Sequence, residues 1–426
     1  MNKILMISYF APPINSPASI RVGKFANYLP EFGWKATILT VKELSYYKKE
    51  PELFPNVLES DIIRTESIDP MRLLKLLKRR NKEQDLAAKL HQKGEGLTNK
   101  IKGLFPIDDK IGWLPFCIKK AGKIIKQDKF DAIYCTIGGT NSHAIAAYKI
   151  SKKYGIPLVI DIRDPWADHI FSTGTWYNNI LNNYWEKKVY SHATKLICVT
   201  EGFKKIIMDK YNFPNSKIDV ISNGFDDFAE GNYKKASNEI IFTFAGNMYK
   251  DILPDKLYDL LLKIDDKYWN DLKLKLRFIG NYRSKFHSLL EDFNSRKPGN
   301  IAVEVLPFMA KASLNKFLHE SDALLIFLPD RDGAEKIITT KFYDYLPYKK
   351  PIIAFCSKNG ELAESIISNK LGFVIDHSDS KEKLLEILEL SKNNELEKIH
   401  ANDDYIYSNS RKQKTKKLAI LLDSIK

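Results

Sequence analysis

The amino-acid sequence predicts an α/β protein built from two doubly wound, Rossmann-like domains. Short apolar runs alternate with longer segments of helical period along most of its 426 residues. Runs such as 157–162 are apolar almost throughout, which is typical of parallel strands covered by helices on both faces. A polar segment at 229–238 interrupts the pattern, and a second series of similar kind then begins.

The first series predicts a domain at 1–230. A basic helical insertion is expected within it, at about 71–126. The expected helices include 21–30, 141–154 and 202–211. The expected strands lie at 3–10, 35–41, 61–66, 132–137, 157–162 and 195–200.

The second series predicts a domain at 236–403. Its expected strands lie at 239–245, 273–279, 301–306, 323–328, 351–356 and 372–376. Its expected helices lie at 254–266, 284–295, 310–320, 339–347, 360–368 and 380–392. Ligands of open parallel sheets bind beyond the carboxyl ends of the strands, so two such domains are expected to face each other across a cleft.

The last stretch, 404–426, predicts a helix that packs back on the first domain. Its apolar residues stand at helical spacing, namely Leu418, Leu421, Leu422 and Ile425.

Composition excludes several classes of protein. With 44% hydrophobic and 28% charged residues, the chain is neither a disordered tail nor a collagen-like fibre. No apolar run approaches the roughly 20 residues that span a bilayer. The short run 4–10 is followed by Pro12-Pro13, which favours a buried first strand over a signal peptide. The four cysteines stand far apart, which argues against a zinc site or a disulfide framework and favours reduced thiols in the cytosol.

Familiar catalytic motifs are absent from the sequence. No Gly-x-Gly-x-x-Gly follows the first predicted strand, which disfavours a dinucleotide-dependent dehydrogenase. The sequence also lacks a Walker A motif, a His-Glu-x-x-His zinc motif and a Gly-x-Ser-x-Gly elbow, so no metal site is expected.

The charge distribution indicates an anionic partner. The formal net charge is +14, and the segment 71–126 holds 15 Lys or Arg against 5 Asp or Glu. Within it Arg72, Lys75 and Arg79 share one face of a predicted helix, as in helices that lie on anionic membranes. A solvated helix face is an equally good interpretation.

A cluster of charged residues closes the strand predicted at 157–162. Asp161, Arg163, Asp164 and Asp168 stand at its carboxyl end, and Pro165 ends the strand. This position favours a role in ligand binding over a surface turn with an internal ion pair.

The segment 329–356 predicts a phosphate-binding element. A polar loop leads into a helix that starts near Thr339–Thr340, where free amide groups and Lys341 would bind a diphosphate. Asp344 lies one turn on and could accept hydrogen bonds from ribose hydroxyls, while Glu335 on the loop could do so for sugar hydroxyls. Gly246, after the first strand of the second domain, would allow close approach of a ligand. An N-capped amphipathic helix without a ligand is the alternative.

Four segments together resemble glycosyltransferase family 4, retaining enzymes of the GT-B fold. They are the opening strand and helix with Arg21, a segment with the Arg163-Asp164-Pro165-Trp166 signature of a bacterial subgroup, the turn 221–226, and the segment 340–352. The resemblance implies a UDP- or GDP-linked sugar as co-substrate, no cofactor and no required metal. It also implies catalytic roles for Asp164 or Arg163, an acceptor site with Arg21, Asn15 and Ser16, and a donor site with Gly246, Asn247, Lys250, Phe308, Glu335, Thr340, Lys341 and Asp344.

The expected function is transfer of a sugar to a lipid-linked acceptor of a bacterial surface polysaccharide. The expected location is the cytoplasm, at the inner face of the plasma membrane. A nucleic-acid-binding protein, a catalytically silent scaffold of the same fold and a sugar-nucleotide epimerase remain alternatives at this stage.

Overall fold

The structure is a computed structural model that describes residues 1–42, 49–69, 105–167, 176–226, 233, 239–248, 252–399 and 401–426. It divides into two compact units. Unit 1 comprises Met1–Ser222 and Arg411–Lys426, and unit 2 comprises Asn223–Ser410. The division falls after Ser222, earlier than the polar segment at 229–238 that marks the boundary in the sequence.

Unit 1 is built on a parallel sheet of seven described strands, in the order β3-β2-β1-β4-β5-β6-β7. Register is set by apolar pairs such as Ile4 opposite Ala36 on one side and Ala132 on the other. Every residue of β4 and of β5 is buried, which explains why these runs lack polar alternation. The strands are β1 Asn2–Ile7, β2 Trp34–Val41, β3 Ile62–Thr65, β4 Ala132–Ile137, β5 Leu158–Ile162, β6 Lys195–Cys198 and β7 Ile218–Val220.

Helices cover this sheet. Their bounds are α1 Pro17–Tyr28, α2 Leu114–Gln127, α3 Ser142–Tyr154, α4 Trp176–His192 and α5 Glu201–Tyr211. Helix α2 forms the end of the basic insertion and buries Cys117, Ala121 and Ile124. The segment with Arg72, Lys75 and Arg79 lies outside the described residues.

Unit 2 has a parallel sheet of six described strands, in the order β10-β9-β8-β11-β12-β13. They are β8 Ile240–Ala245, β9 Leu274–Ile279, β10 Ile301–Leu306, β11 Ala323–Phe327, β12 Ile352–Phe355 and β13 Gly372–Ile375. The helices are α6 Asp255–Leu262, α7 Ser284–Arg296, α8 Lys311–His319, α9 Thr340–Tyr345, α10 Glu361–Ser368, α11 Lys381–Lys392 and α12 Asp403–Ser408. The two parallel sheets with their helices confirm the predicted fold class.

The C-terminal stretch forms two helices rather than one. Helix α12 ends at Ser408, and α13 Arg411–Asp423 follows as part of unit 1. Leu418, Leu421 and Leu422 pack in the same buried cluster as Trp34. Among the described residues, no helix is long and apolar enough to cross a membrane.

Candidate functional site

Two glycines shape the carboxyl edge of the sheet in unit 2. Gly246 follows β8 with a φ of 139°, and Gly280 follows β9 with a φ of 158°. A Cβ on Gly246 would lie 2.1 Å from Cε of Lys341. A Cβ on Gly280 would lie 2.2 Å from the carbonyl oxygen of Gly246. Glycine at both positions therefore lets two loops and the Lys341 side chain approach closely.

Lys341 is a partly buried cation in the first turn of α9. Its Nζ lies 5.2 Å from the centre of the Phe244 ring. Burial lowers the pKa of Lys341, and the charge of Asp344 opposes this only in part. A desolvated cation whose burial is only partly offset by a nearby carboxylate favours an anionic ligand.

Helix α9 is fixed to the end of β8. The Tyr345 hydroxyl accepts a hydrogen bond from the Ala245 amide at 2.8 Å. The helix buries three of its own side chains, Phe342, Tyr343 and Tyr345. Asp344 is exposed, one turn beyond Lys341. This anchoring sets the position of Lys341 relative to Gly246.

The start of α9 lacks the side-chain cap of the alternative interpretation, an N-capped helix without a ligand. Thr339 precedes the helix in an extended conformation, and its side chain makes no capping hydrogen bond. Thr340 is exposed at the first helical position. The α-helix has six residues and continues as a 3-10 turn at Leu346–Tyr348, so the predicted helix at 339–347 is divided between two geometries. First-turn amides have no acceptor within a helix and can donate to a ligand.

Glu335 lies in a 3-10 turn, Ala334–Lys336, between β11 and α9. Its Oε1 is 3.4 Å from Nζ of Lys336. Burial acts to raise the pKa of Glu335, but backbone amides and Lys336 outweigh burial, and the pKa is lowered. The carboxylate that the sequence predicts here is therefore ionised at neutral pH.

The remaining predicted donor residues are spread along this edge. Asn247 Oδ1 accepts a hydrogen bond from the Asn281 amide at 3.3 Å, which connects the loops after β8 and β9. Phe308 is exposed after the edge strand β10, two strands from β8. Lys250 lies outside the described residues. Gly280 is absent from the predicted set, although its place after a predicted strand matches that of Gly246.

In unit 1, the predicted catalytic residues Arg163 and Asp164 lie at the carboxyl end of β5, beside the loop that follows β4. Arg163 Nη2 donates to the Gly138 carbonyl at 2.7 Å. A Cβ on Gly138 would lie 3.1 Å from both Arg163 Nη2 and Asp164 Oδ2, so a glycine leaves room for both side chains. Burial lowers the pKa of Arg163, while the charge of Asp164 opposes the shift. The sheet thus brings Arg163 and Asp164 together with the Gly138 loop.

Arg21 belongs to a buried polar cluster. It forms two hydrogen bonds to Asp161, at 2.6 and 2.8 Å, and also donates to the carbonyl groups of Ile221 and Ser222. The Tyr134 hydroxyl donates to the same carboxylate. Burial acts to lower the pKa of Arg21, but Asp161 reverses the effect and the pKa is raised. The guanidinium is occupied by its own chain, which favours a positioning role.

The two other predicted acceptor residues also have partners within unit 1. Ser16 caps α1 by accepting a hydrogen bond from the Ser19 amide at 3.3 Å. Asn15 donates to Glu50 at 2.7 Å. Both side chains shape the loop ahead of α1.

Sequence reasoning missed a buried carboxylate near the carboxyl ends of β1 and β3. Asp69 accepts a hydrogen bond from the Tyr9 hydroxyl at 2.5 Å. Lys110 Nζ lies 5.4 Å from the centre of the Tyr9 ring. Burial raises the pKa of Asp69. The three residues are far apart in sequence, and no local pattern connects them.

In the part of the chain that is described, no group of three or more His, Cys, Asp or Glu side chains could hold a metal ion.

Comparison with known proteins finds that the chain is similar to glycosyltransferases. Residues 19–227 match the family model described as Glycosyltransferase Family 4. A search of curated proteins finds no match.

Solved structures of this fold resemble the whole chain. A glycosyltransferase from Rickettsia africae ESF-5 is 15% identical with a TM-score of 0.62, and the match covers 100% of this chain and 98% of that one. TarM is 14% identical with a TM-score of 0.63, covering 99% of each chain. WaaG, titled a glycosyltransferase involved in lipopolysaccharide biosynthesis, is 12% identical with a TM-score of 0.56, covering 98% of this chain and 99% of that one. At such low identity these likenesses show the fold alone.

Proposed function

We propose, from the premise that residues 19–227 match Glycosyltransferase Family 4, that the protein is a retaining, metal-independent glycosyltransferase. Its donor is a nucleotide-diphosphate sugar bound by unit 2, and its acceptor is bound by unit 1. The observation that supports this proposal best is Lys341, a partly buried cation close to Gly246 whose desolvation is only partly offset by the charge of Asp344.

Lys341 would stabilise the charge that develops on the leaving diphosphate. A hydrogen-bond donor of the protein that is fixed in place before the reaction stabilises that charge without having to reorganise. The Thr340 amide and hydroxyl stand beside it at the exposed start of α9. Asp344 would accept hydrogen bonds from the ribose, and Glu335 from the transferred sugar. Retention follows the family resemblance, in which the leaving phosphate assists attack on the same face.

Arg163 and Asp164 would act on the acceptor side, at the end of β5. Arg163 is held by the Gly138 carbonyl and flanked by Asp164, so the pair can orient a hydroxyl group. Arg21 would act through Asp161 of β5, with which it forms a buried ion pair close to Arg163 and Asp164 in the sequence. Arg21 is therefore a positioning residue in this proposal.

We further propose a lipid-linked acceptor of a bacterial surface polysaccharide and a location at the inner face of the plasma membrane. The positive net charge of +14 supports an anionic membrane surface as a partner.

A panel of UDP-, GDP- and ADP-sugars tests the activity. One donor should raise the melting temperature, because it binds only the folded state, and should release its nucleoside diphosphate when an acceptor is present. A rise in melting temperature without release would indicate a silent scaffold. If no donor raises the melting temperature or is turned over, and the protein shifts an oligonucleotide in a gel at physiological salt, then the protein binds nucleic acid and the proposal is wrong.

A further inference from the structure

Helix α4 of unit 1 presents a row of large apolar side chains to solvent. Trp176, Ile180 and Tyr184 are spaced four residues apart, which places them on one helix face. Their exposures are 76%, 60% and 53%, and the adjacent Tyr177 is 47% exposed. Single exposed hydrophobic residues are ordinary, but a contiguous row of this kind marks an interaction surface.

The surface around this row is strongly basic. Helices α2, α3 and α4 lie side by side. Tyr148 of α3 contacts Trp185 of α4, with ring centres 6.4 Å apart, and a Cβ on Gly122 of α2 would lie 2.8 Å from the hydroxyl oxygen of Tyr154 on α3. The three helices carry nine lysines, four on α2, three on α3 and two on α4.

No acidic side chain in these helices balances the lysines at the surface. Their one acid is Glu186, which is 1% exposed and accepts a hydrogen bond from the Ala167 amide at 2.8 Å. Asp128, just after α2, is paired with Lys3 at 2.7 Å. The basic face, defined as the outer surface of α2, α3 and α4, therefore has charge complementary to an anionic surface.

A lysine on this face also contacts aromatic side chains. Lys188 Nζ donates to the Tyr184 hydroxyl at 2.8 Å and lies 5.2 Å from the centre of the Trp185 ring. The hydrogen bond to Tyr184 raises the pKa of Lys188. The lysine remains charged beside the apolar row.

We infer that the basic face docks on an anionic phospholipid bilayer, with the row on α4 inserted at the interface. Lysines near an anionic leaflet each contribute about 1 kcal/mol of attraction. Tryptophan and tyrosine favour the headgroup region of a bilayer. Ile180 gains free energy only in an apolar medium, which favours lipid over nucleic acid, where stacking needs aromatic rings. This face is distinct from the helix expected around Arg72, Lys75 and Arg79.

The inference deepens the proposed function, since a lipid-linked acceptor is presented at such a surface. Docking can nevertheless be measured without turnover. Co-sedimentation of the full chain with phosphatidylcholine vesicles, with or without phosphatidylglycerol, should show binding only to the anionic vesicles. Binding should weaken as salt increases.

Two sets of variants test the face itself. Trp176→Ser, Ile180→Ser and Tyr184→Ser combined should lower vesicle binding roughly tenfold or more. Lys149→Gln, Lys152→Gln, Lys153→Gln and Lys187→Gln combined should also lower it by roughly tenfold or more and reduce its salt dependence. These side chains are exposed, so melting temperatures should stay near the wild-type value.

Ile420→Ser is the matched control. Ile420 is 60% exposed on α13, outside the basic face, and this variant should bind vesicles as the wild type does. Unchanged vesicle binding by both sets of variants would overturn the inference, as would binding to an oligonucleotide but not to anionic vesicles. Transfer of the sugar to a water-soluble acceptor, with release of nucleoside diphosphate, should be unaffected in the variants. Failure of docking is therefore distinguishable from failure of the proposed function.

Discussion

Arg21 in unit 1 is a buried cation and Lys341 in unit 2 a partly buried one, and their surroundings differ. Arg21 is 6% exposed and its charge is met by Asp161, so its pKa is raised. Lys341 lies close to Gly246 and Phe244, and its pKa is lowered, because the charge of Asp344 offsets the effect of burial only in part. A cation balanced within the chain organises the fold, whereas one balanced only in part favours an external anion.

The largest expected effect comes from breaking the balanced pair. Asp161→Asn leaves the Arg21 guanidinium buried without its counter-charge, which should cost about 3–5 kcal/mol in the free energy of unfolding. Urea denaturation measures this cost. Asp128→Asn, which removes a surface partner of Lys3, should have little effect. Equal small losses in both variants would show that the Arg21–Asp161 pair does not organise unit 1.

Removing the partly balanced cation should affect ligand binding rather than stability. Lys341→Met keeps the aliphatic stem under Gly246 but removes the charge, and the loss of a charged hydrogen bond corresponds to about 1.5–3 kcal/mol of binding free energy. Calorimetric titration with the nucleoside diphosphate of the active donor measures this loss. Binding to the wild type should also weaken as pH rises through the lowered pKa of Lys341.

Lys285→Met, on the exposed surface of α7, is the control for this titration. It should bind the nucleotide as the wild type does. A Lys341→Met variant with wild-type affinity would contradict the donor-site assignment.

Lys414 on α13 is a third kind of buried cation. Burial, followed by the charges of Lys417 and Arg21, lowers its pKa to about 7 from 10.5. The folded chain therefore binds fewer protons than the unfolded chain between these values, so stability should rise with pH across that window. The full penalty applies below about pH 7.

Lys414→Met should remove this penalty. Its stabilisation relative to the wild type should fall by on the order of 2 kcal/mol between about pH 6 and about pH 9. Denaturation at several pH values measures the change. Lys416→Met, at an exposed position on the same helix, should show no such dependence. A pH-independent effect of Lys414→Met would contradict this explanation.

Gly246→Ala tests the close approach on which the Lys341 site depends. The positive φ of 139° disfavours alanine, at a cost of about 1–2 kcal/mol, and the new Cβ would displace Lys341. We expect a modest loss of stability and weaker nucleotide binding. Gly33→Ala is the control, because Gly33 also has a positive φ, of 83°, but no atom lies within 4 Å of a Cβ placed there. This variant should lose stability but bind the nucleotide normally. Normal nucleotide binding by Gly246→Ala would separate Gly246 from the site.

The sheets were predictable from sequence because buried parallel strands form uninterrupted apolar runs. Helix α4 was not among the predicted helices, since four asparagines and an exposed apolar row obscure its period. The division of the C-terminal stretch at Asn409–Ser410 was also missed, because the leucines of α13 alone give a continuous helical spacing.

The candidate site was predictable only as a set of separate segments. Gly246 and Lys341 could be selected individually, because each lies at a loop or helix start after a predicted strand. Their contact arises from packing of α9 on β8, and no local pattern encodes it. Arg21 and Asp161 are 140 positions apart in sequence, so their pairing, and hence the internal role of Arg21, required the fold.

The most direct test is a crystal structure of the protein with the nucleoside diphosphate of its active donor. A diphosphate oxygen should lie within about 3 Å of Lys341 Nζ, beside the Gly246 loop. A nucleotide bound elsewhere, with Lys341 still lying against Phe244, would contradict this prediction.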